Sequence, residues 1–249
     1  VEHHVNELGQ PVGFPCLDWR PPSYPARITH CGQYCRLEPL DVDRYGAELY
    51  AAFALDREGG DWTYLPYGPY ASEEEFLEWA HSASRSNDPL FFAIVDLASG
   101  KAAGIASYLR ITPARGSIEV GHIHYSPLLQ GKTAGTEAMY LMMKHAFEPG
   151  YRRYEWKCDS LNSRSRAAAL RLGFTFKGIF RQATVYKGRN RDTAWYSVID
   201  REWPALERAF RCWLHPDNFD EFGRQRRRLE EVRRSLVGAE RRDEEKGER

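Results

Sequence analysis

From Tyr34 onward the chain alternates between two hydrophobic periods, and the switches between them mark out its elements. YCRLEPL reads as a strand. Behind Asp41, which is placed to cap a helix, Tyr45, Leu49, Ala52 and Phe53 recur at helical spacing, predicting a helix through Leu55. Ser72 opens a second helix, with Glu75 three residues on to complete a capping box. Three strands follow, PLFFAIVDL, AAGIASYLRI and SIEVGHIHYS, joined by turns at Ser99-Gly100 and Ala114-Arg115-Gly116. A loop containing Gly131 and Gly135 then feeds a helix from Thr136. Next come the strand YRRYEWKCD, a helix from Asn162 to Leu172, and two strands within FTFKGIFRQATVY and TAWYSVID. The order is β, α, α, three β, α, β, α, two β, which predicts an α/β domain built on a sheet of mixed strand direction.

The ends differ from this core. Residues 1–33 are rich in proline and turn formers (GQPVGFPCLDWRPPSYP) and read as an arm lying on the body, pinned by Phe14 and Trp19. From Glu202 a helix (EWPALERAFRCWL) is followed, after His215-Pro216, by Phe222, Leu229 and Leu236 at seven-residue intervals with Val232 between them. That is too short for a coiled-coil seam. Arginine and glutamate dominate from Gly223, so the expectation is a solvated helix, and from Gly238 (GAERRDEEKGER) a disordered end with almost nothing to bury. The expected organisation is therefore an arm (1–33), one α/β domain (34–201) and a charged helical extension (202–249).

Composition narrows the partners. The chain has 249 residues, and its 35 Lys and Arg balance 35 Asp and Glu, so nothing general favours nucleic acid or an anionic membrane. Five scattered cysteines form neither a disulfide framework nor a zinc pattern, and Cys31 and Cys35 beside His30 read as ordinary thiols. No apolar run is long enough to span a bilayer, and VEHHVNELGQ lacks the apolar core of a signal peptide, so an intracellular, cytoplasmic protein is expected.

The stretch SPLLQGKTAGTEAMYLMMKHAFE contains GKT but is not a nucleotide P-loop, because Ser126 and Pro127 stand where that motif needs its first glycine and the curl after it. What remains is a loop entering a helix N-terminus, whose unpaired N–H groups suit a phosphate. Taken with NSRSRAAALRLGF further on, EVGHIHYSPLLQGKTAGTEAMYLMMKHAFE resembles the GNAT superfamily of acyl-CoA-dependent N-acyltransferases, nearest its RimJ/RimL-like branch, over about residues 34–200. The resemblance implies a mixed, mostly antiparallel central sheet flanked by helices, with acetyl-CoA as acyl donor. It implies that N–H groups from Gly131, Lys132, Thr133, Ala134, Gly135 and Thr136 hold the pyrophosphate, with Lys132 adding charge at the rim. The family's loop pattern, Q/R-x-x-G-x-G/A, places Gln130 first, Gly135 last and Thr133 where glycine is usual; a left-handed Thr133 would cost about 1 kcal/mol or more. The pantetheine arm would run along Ile123, His124 and Tyr125 and touch Asn162 and Ser165, with Ser165 as proton donor to the departing thiolate.

Acetylation of an amine also needs a group that accepts the amine's proton. Glu119 interrupts an apolar strand and is the candidate base, a rim carboxylate on a solvated face being the plain alternative. His122 and His124 compete with it. Strict alternation places Glu119, Gly121, Ile123 and Tyr125 on one face and Ile118, Val120, His122 and His124 on the other, unless a bulge sits at Gly121. A carboxylate that some relatives carry after the QA of the penultimate strand is Thr184 here. The acceptor wall is expected from DWTYLPYGPY (Trp62, Tyr64, Tyr67, Tyr70) and from Arg181, Gln182 and Tyr186. Two functions stay open: an N-acetyltransferase acting on a small amine or amino acid, with a protein N-terminus as the variant, and a non-catalytic acyl-CoA-binding sensor suggested by Thr133, the base and the tail. A homodimer is compatible with either; a metal site is not expected.

Overall fold

The computed structural model describes residues 3–236 and 238. A small hairpin, β1 (His3–Val5) with β2 (Pro11–Gly13), precedes the body. The body runs β3 (His30–Cys31), β4 (Cys35–Pro39), α1 (Val42–Phe53), α2 (Glu73–Arg85), β5 (Leu90–Asp96), β6 (Lys101–Thr112) and β7 (Ser117–Tyr125). It continues with α3 (Thr133–Phe147), β8 (Arg153–Asp159), α4 (Ser163–Arg171), β9 (Thr175–Tyr186), β10 (Arg189–Ile199) and α5 (Trp203–Leu214). Strands β3 to β10 form one eight-stranded sheet in the order β3-β4-β5-β6-β7-β8-β10-β9. Every neighbour in it is antiparallel except β7 and β8, as expected for a mostly antiparallel mixed sheet.

Helices cover both faces. On one, Leu49, Phe53, Phe76 and Ala80 of α1 and α2 pack on Phe91, Ala93 and Ile105. On the other, Met139, Met142 and Met143 of α3 and Phe210 and Trp213 of α5 pack on Phe92, Tyr108, Ile118 and Val120. The caps are as the sequence reads: Asp41 accepts from the Arg44 N–H, and Ser72 from the Glu75 N–H at 3.3 Å. Buried Glu137, in the second turn of α3, accepts the N–H groups of Gln33, Tyr34 and Cys35 at 2.7, 2.6 and 2.8 Å, which bolts the start of that helix to the β3–β4 turn.

Two expectations need correction. The helix expected from Thr136 begins at Thr133, because Gly131 alone, at φ 73°, reverses the chain and Lys132 already stands at the N-cap. The tail is not a solvated helix over 229–236: Leu229 and Val232 are 2% and 3% exposed and join the main core, while Phe222 lies 74% exposed. The seam therefore closes on the domain itself. The disordered end expected from Gly238 lies, apart from that residue, outside the described residues. Trp19 of the arm packs against Gly116 and Arg152, and its indole N–H donates to the Gly150 carbonyl at 3.4 Å. No helix among the described residues is long and apolar enough to cross a membrane.

Candidate active site

Strands β7 and β8 pair only from Ser117–Arg153 to Val120–Trp156, and then both continue without pairing to one another. The sheet is thus split in its middle, and the β7 edge over residues 121–125 is left open toward the gap. The split coincides with a bulge: β7 uses three steps from Gly121 to His124 where β6 uses two from Ser107 to Ile105, and His122 takes φ 50°.

At the far end of β7, the loop 126–132 leads into α3. The N–H of Gln130 is held by Ser126 O, that of Lys132 by Leu129 O and that of Gly135 by Lys132 O. Those of Gly131, Thr133 and Ala134 have no acceptor among the described residues, and α3 carries no side-chain cap. Three N–H groups are thus free at an uncapped helix terminus, an arrangement suited to an anion. The two glycines serve different ends. Gly131 faces open space, whereas a Cβ on Gly135 would stand 2.9 Å from the Tyr125 ring and 3.4 Å from Leu129 O. Gly135 is thus a packing glycine, and the Tyr125 hydroxyl donates to its carbonyl at 2.7 Å. Thr133 is right-handed and helical, so the expected strain is absent. Gln130 turns back, its Nε2 donating to Tyr125 O at 2.9 Å and to Asp61 Oδ2 at 2.5 Å. Thr136 is buried and its hydroxyl accepts from Arg171 at 3.1 Å. The Lys132 ammonium lies 3.9 Å from Asp96.

Across the gap, Asn162 caps α4 by accepting the Ser165 N–H at 3.0 Å. Ser165 Oγ accepts the Trp156 indole N–H at 2.9 Å, leaving its own O–H to be donated. Burial pushes the neighbouring Cys158 thiol up in pKa, partly offset by this hydroxyl.

The bulge decides the opposite wall. Past Gly121 the alternation flips, so Glu119, His122 and His124 share the face covered by α1 and α2, which is the bulged alternative that the sequence allowed at Gly121. Glu119 is 3% exposed and is not a rim carboxylate. Its Oε1 accepts from Arg110 Nη1 at 2.7 Å, and Lys157 Nζ lies 2.7 Å from Oε2, a close charge contact without the alignment of a directed hydrogen bond. Lys157 also lies 2.7 Å from Glu155 and stands over the Trp195 ring at 3.8 Å. Burial raises the Glu119 pKa, opposed by Lys157 and Arg110. Burial would raise Glu155 as well, but Lys157 and Arg153 outweigh it and hold that carboxyl low. His122 and His124 are lowered to about 4, each chiefly by burial, with Arg110 and Arg191 adding to the effect at His122.

Aromatic side chains roof this face. Trp62 is buried, stacked on His124 at 3.9 Å and edge-on to Phe53 and Tyr70, so it packs the wall from behind. The Tyr67 hydroxyl lies 3.0 Å from His122 Nδ1. Tyr64 donates to Leu161 O at 3.3 Å and Lys187 to Trp62 O at 2.9 Å, tying the loop after α1 to the β8, β10 and β9 side of the gap. Tyr186 donates to Asp159 at 2.9 Å. Gln182 is exposed at φ 49° and is held by Asp192, and Arg181 is exposed beside it. Both stand on the sheet's outer strand rather than beside Glu119.

Residues 36–175 match the acetyltransferase (GNAT) domain family. The chain belongs to the GNAT acetyltransferases. A GCN5-related N-acetyltransferase from Brucella melitensis is 50% identical, covering 88% of this chain and 99% of its own, with a TM-score of 0.86. A probable acetyltransferase of the GNAT family from Chromobacterium violaceum is 40% identical over 78% of this chain and 98% of its own, with a TM-score of 0.73. Putative ribosomal N-acetyltransferase YdaF of Bacillus subtilis (strain 168) is 26% identical over 172 residues, 67% of this chain and 90% of that protein, consistent with the RimJ/RimL-like branch.

As a GNAT acetyltransferase the protein is an acetyl-CoA-dependent N-acetyltransferase. Its residues fit that donor: an uncapped helix terminus with three free N–H groups, a side-chain-free Gly131 at the mouth, and an open β7 edge leading inward. Sequence reasoning passed over Arg110, Lys157, Trp195 and Asp61. One signal was available, since Arg153, Glu155, Lys157 and Asp159 alternate along β8 and so mark a charged face.

Proposed function

We propose that this GNAT acetyltransferase transfers the acetyl group to the primary amine of a small molecule or amino acid by direct attack in a ternary complex. Glu119 takes up the amine's proton directly or through one water, and Ser165 supplies a proton to the departing thiolate as the C–N bond forms and the C–S bond breaks. The observation that carries this reading is the position of Glu119, one residue before β7 and β8 part, buried on the face beneath the aromatic loop. Burial strengthens it as a base, while Lys157 and Arg110 favour its ionised form. His122 and His124, lowered to about 4 chiefly by burial, are neutral at ordinary pH and are packed against Tyr67 and Phe91 and against Phe53 and Trp62.

A second reading, transfer to a protein N-terminus, is favoured by the likeness to YdaF, whose name describes a ribosomal N-acetyltransferase. Thiol release from acetyl-CoA, followed with amino acids, simple amines and short peptides, separates the two. Turnover confined to peptides would replace the first reading with the second.

A further inference from the structure

Strand β10 carries Arg191, Thr193 and Trp195 along the face that holds Glu119 and Lys157: Trp195 lies opposite Lys157 and Thr193 opposite Asp159 on β8. Arg191 is half-buried there, its Nε donating to Thr193 Oγ1 at 3.2 Å and its guanidinium 5.7 Å from the Tyr186 ring centre. It stands two residues beyond Thr193, just past the last pair of β10 with β8, and so lies on this face where β8 ends on its side of the gap.

The other cations of this face are spoken for. Lys157 is bracketed by Glu119 and Glu155, Arg153 is paired with Glu155, and Arg110 with Glu119. The acids near Arg191 are also engaged: Asp159 accepts the Tyr186 hydroxyl and the Leu161 N–H, and Asp192 accepts the Gln182 N–H and the Asn190 amide. Among the described residues, Arg191 has no carboxylate partner. A shielded guanidinium with its paired terminal nitrogens uncommitted, beside a reaction cleft, has the donor geometry for a bidentate carboxylate.

We propose that Arg191 binds a carboxylate of the acceptor, so that the enzyme selects amines carrying an acidic group a short distance from the nitrogen. The amine would then lie toward Glu119 and the carboxylate toward Arg191, farther along the same face. This rests on the acceptor face described above. The same chemistry is offered by a free amino acid and by a peptide whose second residue is acidic.

The test compares kcat/KM for each amino acid and its carboxamide, and for paired peptides with Glu or Gln in second position, in wild type, Arg191→Gln and Arg191→Lys. A charge-assisted bidentate contact predicts that wild type favours the carboxylate member about 10- to 100-fold, that Gln abolishes this ratio and that Lys keeps part of it. Because each ratio is internal to one protein, a general loss of activity in a variant leaves it readable. Whichever pair shows the ratio identifies the source of the carboxylate. Acetylation of amines without discrimination in wild type, or a ratio that survives Arg191→Gln, overturns the assignment and leaves the transferase reading standing. Absence of turnover with every amine and peptide overturns both.

Discussion

Glu119→Gln preserves the size of the side chain and removes its basicity, and the structure indicates that it does so without wrecking the site. Breaking a buried ion pair costs about 3–5 kcal/mol when it strands a charge. Here Lys157 keeps Glu155 at 2.7 Å and the Trp195 face, and the Arg110 side chain, already 60% exposed, is taken up by water. The expected loss of stability is therefore smaller, about 1–2 kcal/mol. The rate should fall further: a positioned general base contributes at least about 10²-fold, or roughly 2.7 kcal/mol of barrier. Affinity for acetyl-CoA should be unchanged, because the free N–H groups of Gly131, Thr133 and Ala134 lie beyond the end of β7. Steady-state thiol release against pH reads the rate, calorimetry the affinity for the donor, and denaturant unfolding the stability. In wild type kcat should decline as pH falls through the Glu119 pKa, which burial holds above the usual carboxylate range, and this acid limb should vanish in the variant. Full activity with an unaltered pH profile would eliminate Glu119 and turn attention to His122.

Lys157 lowers the Glu119 pKa, so Lys157→Met should move the acid limb of kcat to higher pH; an unmoved limb would mean that another group titrates there. Gly131→Ala meets no neighbour but is left-handed, so it should cost about 1 kcal/mol of stability and weaken acetyl-CoA binding. Gly135→Ala forces a Cβ against Tyr125 and Leu129 O, so it should lower the melting temperature more; equal melting of the two variants would refute this division of roles. Leu229→Ala should cost about 2–5 kcal/mol by denaturant unfolding, whereas ending the chain after Leu236 should spare both stability and turnover.

The sheet was legible because its strands read as alternating or wholly apolar runs between turns, and because α1, α2 and α4 are capped by local chemistry that needs no knowledge of the fold. The failures lie where a distant partner decides. Leu229 and Val232 sit in a run of arginine and glutamate that reads as solvated, and only the groove they fill explains them. Gly135 matches a phosphate-loop position by spacing, and the letters do not reveal that its missing side chain also makes room for Tyr125, ten residues back. Glu119 was legible as an odd carboxylate in an apolar strand. Its partners Arg110 and Lys157 come from the two flanking strands, and no spacing within one strand shows them.

The bulge at His122 shows why the site could be suspected and not drawn. A non-glycine residue at φ 50° costs about 1–3 kcal/mol, and such strain persists only where surrounding contacts hold it. Here the Tyr67 hydroxyl and the Phe91 ring hold the imidazole. The extra residue has two consequences at once. It turns His122 and His124 onto the face of Glu119, and it falls just where β7 leaves β8, at the inner end of the edge along which a donor can lie. Arg110, the partner of Glu119 across β6, is also left-handed, at φ 47°, with its N–H held by Asp88. Unfavourable backbone is therefore concentrated on both sides of the proposed base. Regular strands would have continued pairing and closed the gap; the irregular ones keep it open and aim its charged groups into a single face.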